Sequence, residues 1–84
     1  MLKYIVVYAS YLETEGLDAS VLIFDTEEQA QQNLKESYDM ILKDFENGVI
    51  EWSDLDKNSY SVGGYDSWDY NMRCQAYIDK KEIK

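Results

Sequence analysis

The sequence offers few side chains that could do chemistry. It holds no histidine and one cysteine, Cys74. A Ser-His-Asp or Cys-His arrangement therefore cannot be built, and neither can a zinc site made from Cys and His ligands. No glycine-rich phosphate loop is present. Paired carboxylates remain, but 17 acids on 84 residues bring some pairs together by chance. The expectation is a chain with no enzymatic role, no cofactor and no metal.

One segment bears comparison with a calcium loop. Asp54, Asp56, Asn58 and Tyr60 fall at its first, third, fifth and seventh positions. Ser59 stands where glycine permits the sharp turn, and Tyr65 stands where a closing Glu is required, with Asp66 one place late. An Asx-type turn, in which such side chains accept from nearby backbone amides, accounts for the same pattern. Cys74 falls on the apolar parity with Met72 and Ala76, as a small buried hydrophobe does.

Charge is the property that departs most from the ordinary. The 17 Asp and Glu face 8 Lys and Arg, a formal net of -9. Repulsion from phosphates and anionic lipid opposes direct binding to nucleic acid or a membrane. The acids are also unevenly spread. No base interrupts the stretch from Tyr4 to Leu34, and only Lys57 interrupts that from Asp44 to Met72.

An acidic surface of this kind fits a basic partner, with carboxylates standing where phosphates would. Glu51, Asp54, Asp56, Tyr65, Asp66, Trp68, Asp69 and Tyr70 are the expected partner-binding residues, aromatic anchors among acids. The alternative reading is a dimeric accessory protein, joined through a Tyr-rich sheet face and charged for solubility alone. Tyr8, Tyr60, Tyr65, Trp68 and Tyr77 would coat that face.

Elements that must position these residues are legible from pattern. Eighty-four residues suit a single α+β domain with one core. Tyr4 to Ala9 is apolar at both parities and reads as a central strand covered on both faces. Tyr11 to Ser20 reads as an exposed connection, and Val21 to Phe24 as a second strand. Thr26 with Gln29 fits a capping box, and Ala30, Leu34, Tyr38, Ile41 and Phe45 draw one stripe down a helix of about five turns. Met40 lies off the stripe.

Asn47-Gly48 closes the helix, with glycine expected in the left-handed conformation. Val49 to Asn58 reads as a packed connection, Ser59 to Val62 as a strand, and Gly63-Gly64 as a tight hairpin turn. From Tyr70 to Asp79 residues alternate with period two. The expected architecture is a small antiparallel sheet with one amphipathic helix on one face, in the order β-β-α-β-β.

The lone cysteine suits a reducing, cytoplasmic setting. Met1-Leu2-Lys3 and the short run after it are too brief for a leader and read better as strand. In size and charge the chain is similar to small acidic α+β proteins from phages and mobile elements, inhibitors of host defence among them; no motif extends that likeness to a named family.

Overall fold

Alternating residues with short turns between them give this chain five antiparallel strands, and the one amphipathic stretch gives its helix. The computed structural model describes residues 1–82. The elements run β1 (Leu2–Leu12), β2 (Gly16–Phe24), α1 (Glu27–Asp44), β3 (Val49–Leu55), β4 (Ser59–Tyr65) and β5 (Asn71–Glu82). They form one sheet in the order β2-β1-β5-β4-β3, each neighbour antiparallel. The α+β class with one helix therefore stands, with a fifth strand added.

Strand β3 is that addition. Its alternation is hidden because the register shifts between Ile50 and Trp52, leaving Glu51 at a bulge. A bulge puts two residues opposite one and breaks the period-two signal. The connection read from Tyr11 to Ser20 is likewise mostly strand: β1 and β2 pair from Tyr4–Phe24 to Leu12–Gly16. Gly16, at φ 86, leaves the turn in a conformation that glycine adopts freely.

The helix begins as its sequence dictates. Thr26 Oγ1 accepts from the Gln29 amide at 3.2 Å, and Glu27 and Glu28 sit in the positive first turn. Ala30, Leu34 and Phe45 are buried, Tyr38 and Ile41 pack against them, and Met40 faces solvent. The helix stops differently from the sequence expectation. Phe45 caps it at φ -92, and Gly48 is not left-handed. A Cβ on Gly48 would instead strike the Tyr65 carbonyl oxygen, so close approach of two backbones explains the glycine.

Helix α1 covers one face of the sheet. Val6, Tyr60, Val62, Cys74 and Ala76 meet it there, with Tyr4, Tyr8, Met72 and Ile78 around them. The other parity of β1, including Ile5 and Val7, lies on the opposite face, which no element among the described residues covers. Strand β1 is apolar at both parities for a different reason from the one its sequence suggested: one of its faces is bare. Gly63 and Gly64 are interior residues of β4, and the hairpin turn falls at Asp66 to Tyr70. Both glycines lie where β3 comes too near for a side chain.

Candidate functional site

The antiparallel register sorts the expected partner-binding residues between two ends of the sheet. Val49 pairs with Tyr65, and Tyr65 pairs with Asn71. Glu51 at its bulge, Tyr65, Asp66, Trp68, Asp69 and Tyr70 thus share the end where β4 turns into β5. Asp54 pairs with Ser61, four residues back along β4, or about 13 Å away at a strand's rise per residue. Asp56 lies beyond it in the β3–β4 turn.

The β4–β5 loop is built around one carboxylate. Asp66 Oδ1 accepts from the Trp68 amide at 2.9 Å and the Tyr70 amide at 3.0 Å. The Asp66 amide donates to the Tyr70 carbonyl at 3.0 Å, closing the loop. Asp69 carries a positive φ of 65, a conformation that Asp tolerates better than most residues. Trp68 in this loop is 78% exposed, and Tyr70 is a little under half exposed.

Sequence reasoning missed two carboxylates that arrive at the same end. The β1–β2 hairpin brings Glu13 and Glu15 beside the start of β5. The Glu13 amide donates to the Asn71 carbonyl, and Glu13 Oε2 accepts from the Asn71 amide, both at 3.0 Å. Asp18 lies early in β2, and Asp44 and Glu46 come with the end of the helix. Lys43 and Arg73 are the bases in this region. The Thr14-Glu15-Gly16 turn marks a hairpin tip in the sequence, but the pairing of β1 with β5 is what sets it at this end.

Arg73 is already engaged. Its guanidinium carbon lies 5.9 Å from the centre of the Trp52 ring, within cation–π reach. Trp52 Nε1 donates to Ser61 Oγ at 3.3 Å. Both groups stand on the bare sheet face, flanking a shallow hollow of about 580 Å³ that reaches Tyr11 and Leu17.

The opposite end of the sheet has a different charge character. There the Met1 amine pairs with Glu82 at 2.9 Å, Lys3 with Asp25, and Lys81 with Asp79 at 3.7 Å. Lys80 lies 5.9 Å from the centre of the Tyr4 ring. The ion pairs among the described residues are therefore gathered at this end, and the acids of the loop end have none.

The calcium-loop residues do not converge. Asp54 lies on the bare face and Tyr60 on the helix face, where its hydroxyl is 2.7 Å from Ser37 Oγ. Asp56 Oδ1 accepts from the Lys57 amide at 2.7 Å, and Asn58 Oδ1 accepts from Gln31. These are turn and helix contacts. Among the described residues no group of three or more Cys, Asp or Glu side chains is placed to hold a metal ion.

The tyrosines also divide. Tyr77 is half-exposed on the bare face, whereas Tyr8 and Tyr60 lie under the helix. Tyr8 donates to Asn33 Oδ1 on the helix. Strand parity, fixed by the core, decides this: Tyr8 shares its side with Val6, and Tyr60 with Val62. The apolar content of the bare face comes instead from Leu17, Val21, Ile23, Ile5 and Val7, with Tyr11, Trp52 and Tyr77.

Burial alters three titrating groups. It raises the Cys74 thiol above its ordinary 9.0, with the nearby Asp44 charge adding to the effect. It raises the Tyr8 phenol above 10.0, with Tyr60 contributing. Tyr60 is raised by burial, partly offset by its hydrogen bond with Ser37. A raised thiol pKa keeps Cys74 protonated and chemically quiet at neutral pH.

No family model, curated protein or solved structure matches the chain. Among the described residues no helix is long and apolar enough to cross a membrane.

Proposed function

We propose that this chain is a non-catalytic protein-interaction module, an inhibitor or regulator that docks its loop end on the basic, nucleic-acid-binding surface of a partner. The single observation that carries this reading is Trp68, exposed in a loop pinned by the Asp66 carboxylate, at the end of the sheet that also holds Glu15, Glu51 and Asp69. An exposed tryptophan supplies contact energy, and carboxylates in place of phosphates supply direction and a fast, salt-sensitive encounter. The module works in a reducing, cytoplasmic setting and touches neither nucleic acid nor membrane itself.

The test is capture of a partner from native lysate, with elution by salt and competition by duplex DNA. Changing Glu15→Lys, Glu51→Lys and Asp69→Asn together, or Trp68→Ser alone, should abolish capture. Asp54→Lys with Asp56→Lys, about 13 Å from Tyr65 along the strand for Asp54 and farther for Asp56, should leave it nearly intact. Equal retention by all three variants, or capture indifferent to DNA, would end the reading.

A further inference from the structure

The sheet face opposite the helix is the largest feature of the molecule that the proposed docking does not use. Six side chains dominate it: Tyr11, Leu17, Val21, Ile23, Trp52 and Tyr77, between 37% and 78% exposed. Their exposed area, polar and apolar atoms together, is on the order of 700 Å² per copy, with Arg73, Gln75 and Ser61 lying among them on the same face. We infer that a second copy of this chain covers this face, sheet against sheet.

Two observations select that occupant. The first is area. Two such faces together would remove about 1,400 Å² from water, within the roughly 1,200–2,000 Å² of stable protein complexes. The second is charge. The register places Lys3, Arg73 and Lys81 on this side, with Asp54, Asp79 and the adjoining Asp25 against them. Glu13, next on this parity beyond Tyr11 and bonded to Asn71, adds one acid to the three, and Lys3–Asp25 and Lys81–Asp79 are already paired. Most of the acid excess behind the net charge of -9 therefore lies on the other surfaces, so two highly acidic copies can meet here with few carboxylates forced together.

Charge also selects the orientation. A two-fold axis running across the strands lays the acidic loop end of one copy over the lysine-bearing end of the other. An axis along the strands would stack the two acidic ends, at a Coulomb cost. Aligned sheets of this kind pack about 10 Å apart with their inward side chains interdigitated. The dimer does not depend on the partner-docking reading, since it leaves both loop ends at its periphery.

Sedimentation equilibrium over a wide concentration range tests the inference. The unmodified protein should sediment at twice 9.9 kDa. Tyr77→Lys and Leu17→Lys, both exposed positions, should each return it to 9.9 kDa with an unchanged circular dichroism spectrum. A monomer at every concentration would overturn the proposal. A dimer that survives Tyr77→Lys would also overturn it, because pairing at the β2 edge leaves that residue untouched. So would an open-ended series of larger species.

Discussion

Gly63 lies directly beneath the indole of Trp52, with no room between them for a methyl group. The glycine lets the ring settle on the sheet, where Arg73 stacks on it and Ser61 accepts its N–H. Gly63→Ala should displace the indole and destabilise the protein by about 1–3 kcal/mol in denaturant titration. Gly64→Ala should cost more, since its methyl would meet the Val49 carbonyl oxygen, a backbone atom that cannot swing aside. Equal, small effects of the two would contradict this packing.

Asp66 separates loop geometry from charge. Asp66→Ala removes the acceptor of two amides and should cost about 1–2 kcal/mol. Asp66→Asn keeps an oxygen at that position and should retain most of the stability while removing the charge, so any loss of partner binding reports electrostatics. Asp69→Val, forced into a positive φ, should destabilise by about 1–2 kcal/mol, whereas Asp69→Gly should change stability by less than ~1. Urea midpoints for the four variants measure this order.

Alkaline pH should unfold the domain from the inside. For Cys74, Tyr8 and Tyr60 the folded pKa lies above the unfolded one, so the folded chain holds these protons more tightly. Their stabilisation is complete below the unfolded values of 9.0 and 10.0 and is lost as pH rises through the folded values. The urea midpoint should therefore be flat across neutral pH and fall above pH 9. Phenolate absorbance should show two tyrosines ionising late. A midpoint unchanged through pH 11 would contradict the assignment.

Orientation within the dimer is open to cross-linking. With the two-fold axis across the strands, β2 lies antiparallel over its counterpart, and Leu17 of one copy stands near Ile23 of the other. A mixture of Leu17→Cys and Ile23→Cys proteins should couple through a short bis-maleimide, while Leu17→Cys alone should not. Cys74, buried and 6% exposed, should stay unmodified. Efficient coupling of Leu17→Cys to Trp52→Cys instead, with β2 laid over β3, would favour the axis along the strands.

The helix was legible because it is self-contained: a cap at Thr26 and a stripe from Ala30 to Phe45 are local facts. So was the parity of Met72, Cys74, Ala76 and Ile78. Strand β3 was not, because its bulge at Glu51 is imposed by pairing with β4. Gly63 and Gly64 read as a turn because sequence cannot distinguish a glycine needed for dihedral freedom from one needed for space. The alternation of Leu17, Ala19, Val21 and Ile23 was present in the sequence but weakened by the small Ala19 and broken by Leu22 between Val21 and Ile23.

The loop end was partly legible. Asp66 to Tyr70 is contiguous, so its residues stay together in any fold. Asp54 and Asp56 looked adjacent to them, but β3 and β4 run antiparallel and carry them away. Glu13 and Glu15 come from a hairpin distant in sequence, and only the register of β1 on β5 brings them in.

Small-angle X-ray scattering tests the bare sheet face most directly. One copy is a slab with principal extents of 45 × 21 × 14 Å and a Cα radius of gyration of 13.8 Å. Two copies stacked face to face should double the scattering mass and thicken the thin dimension, leaving the longest near 45 Å. A particle of single mass with a radius of gyration close to 13.8 Å, or one of double mass that has broadened instead of thickened, would contradict it.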